Sequence, residues 1–227
     1  MKISQEDVRQ FKHRYSDENK IIANIIQQRL YEKFEETIVD VGAGTGDITS
    51  AALPSKKVVQ IDVLKYSEYF LSERHSRLVI DFFDYGPDEG EKIGTLFFSH
   101  VLQFLDQDVL RLNDKLQSLS PQNIITVTNV NDEFMGVLLH WIEQNFDNAN
   151  PEVDLPNFPI GYQLEEEIKF SGRVHCRDYR LLGKQVTYLM DSYPSSDKAT
   201  ALEDFLRDNL AEPEFSINQQ IRVYNRT

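Results

Sequence analysis

Apolar residues along this chain fall into two rhythms. In SDENKIIANIIQQRLYEKF, from Ser16 to Phe34, Ile21, Ile22, Ile25, Ile26, Leu30 and Phe34 share one stripe of a 3.6-residue period, which predicts a helix. Ser16 is placed to cap it, and Asp17 and Glu18 stand in the first turn, where acids suit the helix dipole. From Thr37 the rhythm changes to short continuous apolar runs. These are TIVDVG (Thr37 to Gly42), KVVQID (Lys57 to Asp62), RLVID (Arg77 to Asp81), TLFFS (Thr95 to Ser99) and NIITVTNV (Asn123 to Val130). Runs of this kind, rich in β-branched and aromatic residues, suit parallel strands buried on both faces. Helical stripes return at Val109, Leu110, Leu112, Leu116 and Leu119, and again at Phe134, Val137, Leu138, Trp141 and Ile142. The alternation predicts an α/β fold: one doubly wound, Rossmann-like, mostly parallel sheet with helices on both faces and right-handed crossovers.

The last third reads as a long strand (Gln163 to Cys176), two helices and a closing strand (Ser216 to Arg226). Only short polar loops separate these pieces, so a single domain over residues 1–227 is expected: a helical cap at 1–36, a core at 37–130, and strands with helices at 163–227. The stretch DNANPEVDLPNFPIGY, residues 147–162, holds Pro151, Pro156 and Pro159. A loop of that length in a compact domain reads as a lid or substrate loop.

Composition narrows the partners. The 227 residues carry a formal net charge of −13. Non-specific nucleic-acid affinity comes largely from lysine and arginine, so a nucleic-acid partner is disfavoured and a neutral or cationic small molecule fits better. No apolar run approaches the roughly 20 residues of a membrane span. The polar opening MKISQEDVRQFKHRY shows no signal-peptide core, and Cys176 is the only cysteine. A cytoplasmic location is the expectation from both. No His, Cys, Asp and Glu cluster has metal-site spacing, so no metal is expected.

The stretch TIVDVGAGTGDITSAAL carries the candidate chemistry. It reads as first strand, turn and helix start, and in an open α/β sheet ligands sit beyond the strands' carboxyl ends. Gly42, Gly44 and Gly46 permit positive φ and let a ligand approach bare backbone. A dinucleotide fingerprint spaces its glycines G-x-G-x-x-G; here the spacing is G-x-G-x-G, and Asp47 stands where the third would fall. A carboxylate there opposes a diphosphate, and Asp40 adds another negative charge. The loop therefore asks for a phosphate-free ligand with a cationic end, such as S-adenosyl-L-methionine. Asp62, twenty positions after Gly42, can accept from both ribose hydroxyls, and Asp81 from an adenine amino group, with Phe82 offering backbone N–H and a ring face.

The ordered set VDVGAGTG, VVQID, VIDFFDY and TLFFSHVLQFLD resembles the class I S-adenosylmethionine-dependent methyltransferase family, clearly over about residues 37–130. The resemblance implies about seven strands, with the last one antiparallel. It implies that the glycine loop holds the methionine end, Asp62 the ribose, and Asp81 with Phe82 the adenine, with Asp40, Gly42, Ala43, Gly44, Gly46 and Val63 among the cofactor-binding residues. Ser99 and His100 would border the transferred methyl, and S-adenosyl-L-homocysteine would be the product.

Methyl transfer from a sulfonium is an in-line displacement that asks mainly for alignment and exclusion of water. His100 is the candidate base, since an imidazole can take a proton near neutrality. Members that methylate nucleobase amino groups carry Asn/Asp-Pro-Pro-Tyr or Asn-Leu-Pro-Tyr after the fourth strand; this chain has Ser99-His100-Val101-Leu102, which argues against an rRNA or DNA substrate. Tyr15, Phe104, Phe158 and Tyr162 are candidates for lining or closing a substrate pocket. The expected function is methyl transfer to an N or O atom of a small-molecule or peptide acceptor. The alternative is a non-catalytic domain of the same fold, and a nucleotide-dependent oxidoreductase is the third reading.

Overall fold

The computed structural model describes residues 15–105, 109–130, 133–145, 159–189 and 196–227. The first helix, α1 (Glu18–Ile25), runs on through a π-type turn, Ile26–Leu30, and a 3-10 turn, Tyr31–Lys33. Ser16 Oγ accepts the Glu18 N–H at 3.2 Å, the expected cap. The apolar stripe is buried: Ile22, Ile26, Leu30 and Phe34 are fully inaccessible, and Phe34 meets the Phe97 ring edge-on at 5.7 Å. Each such side chain contributes roughly 2 kcal/mol of transfer free energy.

The strands follow as β1 (Thr37–Val41), β2 (Lys57–Asp62), β3 (His75–Val79), β4 (Ile93–Ser99), β5 (Asn123–Asn129), β6 (Tyr162–His175) and β7 (Glu214–Arg226). Between them lie α2 (Asp47–Ala52), α3 (Leu102–Leu105), α4 (Val109–Leu119), α5 (Glu133–Asn145), α6 (Tyr179–Leu189) and α7 (Ser196–Asn209). They form one seven-stranded sheet in the order β3-β2-β1-β4-β5-β7-β6. The pairs β1–β2, β1–β4, β2–β3 and β4–β5 are parallel. β7 runs antiparallel to β5, as the bonds Val130 N to Asn218 O and Arg226 N to Gln122 O require. Strand order reverses between β1 and β4, so the crevice beyond their carboxyl ends is the natural ligand position.

β1 is buried at every position and β2 and β4 nearly so. β3 is the exception. It is an edge strand, and the connections on either side of it, 63–74 and 80–92, carry no helix. Leu78 and Val79 are consequently 43% and 55% exposed. The strand also starts and stops two residues earlier than the apolar run RLVID suggests, so Asp81 lies in the following turn.

The chain divides into two compact units. One comprises Met1–Glu18, Asn129–Pro151 and Phe170–Gln219. Its core joins Leu138, Ile142, Val174, Leu182, Val186, Leu202 and Leu206, with Trp141 stacked on Phe205 at 4.9 Å. Cys176 is buried there, and burial, with Asp178 nearby, pushes its thiol up to about 11. The other unit comprises Asn19–Thr128, Glu152–Lys169 and Gln220–Thr227. Its core is built on Val39, Val41, Ile61, Leu96, Phe98, Leu112, Leu116 and Ile124. Among the described residues no helix is long and apolar enough to cross a membrane.

Candidate functional site

β1 ends at Val41, and the chain turns at once through three left-handed glycines: Gly42 at φ +66°, Gly44 at +58° and Gly46 at +77°. Their surroundings differ. A Cβ on Gly42 would lie 2.2 Å from Val101 Cγ2, and one on Gly46 2.2 Å from the Gln60 side-chain amide. A Cβ on Gly44 would meet nothing within 4 Å. Two glycines are therefore demanded by the protein's own packing, whereas the middle one faces open space. The loop is tied down by Ala43 N–H to the Ile61 carbonyl at 3.0 Å and by Gly46 N–H to the Ala43 carbonyl at 2.8 Å.

Asp62, ending β2, sits against this loop. Its Oδ2 accepts the Gly44 N–H at 2.8 Å and its Oδ1 the Leu64 N–H at 2.9 Å. Asp62 is 7% exposed, and each carboxylate oxygen keeps acceptor capacity beyond its one amide. Val63 beside it is exposed. The Ile80 N–H donates to the Asp62 carbonyl at 2.9 Å, which brings the turn after β3 to the same strand ends. In that turn Asp81 is exposed and its Oδ1 accepts the Phe83 N–H at 2.8 Å. Phe82 departs from expectation: its ring is buried and meets Phe98 edge-on at 5.6 Å, so the ring serves the core and only the main chain can serve a ligand. The Lys115 ammonium, from α4, fastens the turn through the carbonyls of Phe83 and Tyr85.

At the end of β4, Ser99 Oγ is buried without a hydrogen-bond partner in the protein. His100 follows at φ +53°, its N–H donating to the Val127 carbonyl at 3.0 Å. A left-handed histidine costs on the order of 1 kcal/mol or more, and such strain concentrates at functional sites. Val101 is the residue packed under Gly42, so Ser99, His100 and the glycine loop adjoin.

Beneath the loop runs a polar row that the chain's linear pattern conceals. Strand register sets Asp40 beside Gln60 and Gln60 beside Arg77, across β1, β2 and β3. Asp40 accepts from Thr49 Oγ1 at 2.6 Å. Gln60 Nε2 reaches the carbonyls of Gly46 and Phe70 at 3.2 and 3.1 Å. Arg77 donates to the Gly44 carbonyl at 2.6 Å and to Gln60 Oε1 at 3.4 Å. Asp47, at the start of α2, accepts from Thr45 Oγ1 at 2.8 Å and from Asn19 Nδ2 at 2.6 Å. Burial raises the Asp40 carboxyl to about 7; the Thr49 hydroxyl opposes this, Asp47 and Asp62 add to it, and Arg77 works against it. The signals for the row in the sequence are lone polar residues in apolar strands, Asp40 between Val39 and Val41 and Gln60 between Val59 and Ile61.

Of the candidate lid residues, Tyr162 is placed away from this crevice. Tyr162 starts β6 and its hydroxyl donates to the Pro121 carbonyl at 2.9 Å, ahead of β5. That is the amino end of the parallel strands, opposite the glycine loop, so Tyr162 does not border this crevice. Tyr15 packs on the core of the other unit. Phe104 lies in α3, with its side chain outside the described residues, as is Phe158 with most of the loop 147–162. Among the described residues no group of three or more His, Cys, Asp or Glu could hold a metal ion.

No protein-family model matches this chain, and no curated protein matches it by sequence. Solved structures do match in fold. A cyclopropane-fatty-acyl-phospholipid synthase-like protein from Lactobacillus casei superposes with a TM-score of 0.55 at 12% identity, over 91% of this chain and 90% of that one. A protein from Anaeromyxobacter dehalogenans, provisionally named a type II methyltransferase, gives 0.54 at 14% identity over 92% and 94%. The YcgJ protein from Bacillus subtilis gives 0.53 at 13% identity over 92% and 99%. The fold is that of the class I methyltransferases, a mostly parallel seven-stranded sheet in which the last strand, β7, runs antiparallel.

Proposed function

We propose that this protein is an S-adenosylmethionine-dependent methyltransferase acting on an N or O atom of a small, neutral or cationic acceptor. The observation that carries the reading is Gly44: a left-handed glycine at the switch point, open on its Cα side, with its amide held by the Asp62 carboxylate. That cradle, with the orphaned Ser99 Oγ nearby, fits a ligand laid along backbone rather than one gripped by large side chains. The formal net charge of −13 favours a cationic or neutral acceptor over a polyanion.

Asp40, Gly42, Ala43, Gly44 and Gly46 would hold the methionine end, Asp62 and Val63 the ribose, and Asp81 with the Phe82 main chain the adenine. Bound there, S-adenosylmethionine supplies a methyl group already activated on a sulfonium. The chain's own task is alignment, exclusion of water and, for an acceptor that must lose a proton, a base. His100, beside the glycine loop and leaving β4, is the residue assigned to that base.

Calorimetric titration with S-adenosylhomocysteine tests the donor site. Binding is expected to weaken at least tenfold in Asp62→Ala, each decade being about 1.4 kcal/mol. No binding by the unaltered protein at high-micromolar ligand overturns the reading. Turnover on a panel of amines, phenols and carboxylates separates an enzyme from a non-catalytic domain of the same fold.

A further inference from the structure

Arg77 reaches across two strands to the middle of the glycine loop, and nothing in the methyl-transfer reading requires it to. Its guanidinium donates to the Gly44 carbonyl and to Gln60 Oε1, and lies 5.4 and 5.3 Å from the ring centroids of Tyr66 and Tyr69. The two tyrosines stand in the helix-free connection after β2. That connection is bolted to the same loop: Phe70 N–H donates to the Thr45 carbonyl at 2.7 Å, and the Phe70 carbonyl accepts from Gln60 and from Ser50 Oγ.

A glycine in the left-handed region has no side chain to stop its flanking peptide planes from turning over. Here both are pinned. Asp62 holds the N–H on one side of Gly44 and Arg77 holds the carbonyl on the other. Release of the second pin would free the carbonyl dipole to swing toward the open side of Gly44. There it would alter the lining of the cradle without disturbing the buried sheet.

Resting on the donor-site reading above, we propose that Arg77 is a positioning residue for the methyl donor: its planar fork locks the Gly44 peptide in the receiving conformation and balances the carboxylates clustered below the loop. A lysine cannot reproduce this, since an ammonium is a point charge and cannot span Gly44 and Gln60 with a rigid fork. The charges concerned are Asp47 from α2, Asp62 from β2 and Arg77 from β3, all acting on Asp40 of β1, whose hydrogen-bond partner is Thr49 of α2. The assignment places the second anchor of the loop on an edge strand that otherwise contributes little to the core.

The test compares the unaltered protein with Arg77→Gln and Arg77→Lys. Backbone amide hydrogen exchange over residues 42–46 reads the pin without any ligand, and Arg77→Gln is expected to exchange at least tenfold faster there while β1 and β4 stay protected. Titration with S-adenosylhomocysteine is expected to lose at least tenfold in Arg77→Gln and less in Arg77→Lys. The pH dependence of that binding should move upward in Arg77→Gln, because Asp40 loses its cationic neighbour. Unchanged exchange over the loop, or an Arg77→Gln affinity within twofold of the unaltered protein, overturns the proposal. Failure of the unaltered protein to bind S-adenosylhomocysteine overturns the donor reading and the donor half of this proposal with it. The exchange comparison still decides the pin.

Discussion

The three glycines of the loop make a divided prediction. Alanine at Gly44 adds a methyl group that meets nothing within 4 Å, so its only cost to folding is a left-handed conformation, φ +58°, imposed on a residue with a Cβ. That is about 1–2 kcal/mol. Alanine at Gly46 has the same conformational cost at φ +77°, and its Cβ would also fall 2.2 Å from the Gln60 amide. Gln60 must then move, and its bonds to the Gly46 and Phe70 carbonyls are compromised. With roughly 1 kcal/mol for each bond lost, the total is about 3–4 kcal/mol. In a chain of this size about 1 kcal/mol corresponds to a shift of roughly 2–4 °C in Tm. Scanning calorimetry should therefore find Gly46→Ala displaced about twice as far as Gly44→Ala. Binding of S-adenosylhomocysteine should rank the other way when expressed per unit of stability lost: Gly44→Ala, mild in the melt, should bind at least tenfold more weakly because its methyl occupies the cradle. Equal melting losses in the two variants, or unimpaired binding by Gly44→Ala, would refute the division of labour among the glycines.

Two further outcomes follow from strained or buried groups. His100→Gly should be more stable than His100→Ala by about 1 kcal/mol, because glycine adopts φ +53° without penalty; equal Tm values would remove the strain argument. The Asp40 carboxyl, raised from 3.8 to about 7, keeps its proton in the folded chain where the unfolded chain has lost it. Stability should accordingly fall as pH rises from about 4 to about 7 and level off above, by roughly 4 kcal/mol in all. Asp40→Asn should flatten that part of the urea-unfolding profile, and an unchanged slope would exclude Asp40 as its source.

The parallel strands β1, β2, β4 and β5 are legible in the sequence for a physical reason. Burial on both faces leaves little room for polar side chains, so the apolar runs nearly coincide with the strands. β3 is displaced by two residues because no helix covers it, and its edge tolerates His75 and Ser76 at the start. The glycine loop is legible because left-handed φ and close approach both select glycine. The row Asp40, Gln60 and Arg77 is not, since it arises from lateral register between strands that are 17 to 20 residues apart in the chain. Tyr162 is misread for a related cause. Aromatic character marks a residue as suited to a pocket wall, yet only topology decides at which end of the sheet it stands.

The oxidoreductase alternative turns on electrostatics that the folded loop makes concrete. Asp47 occupies the position where a dinucleotide fingerprint would have its third glycine, and it is fixed there by Thr45 and Asn19. Asp62 is fixed by two backbone amides, one of them the Gly44 N–H that a phosphate oxygen would want. A phosphate charge held about 6 Å from either carboxylate is repelled by roughly 3 kcal/mol at an effective dielectric constant of 20. Arg77 offsets one such interaction, but its donors are already engaged with the Gly44 carbonyl and Gln60. A diphosphate therefore meets a net repulsive loop whose best amide is taken, whereas a ligand with a sulfonium and an ammonium meets attraction from the same groups. NADH is expected to give no heat in a titration where S-adenosylhomocysteine binds, and to leave that binding undisplaced at millimolar concentration. Competitive displacement by NADH would mean that the carboxylates do not govern the ligand of this crevice, and the charge argument for a methyl donor would fall with it.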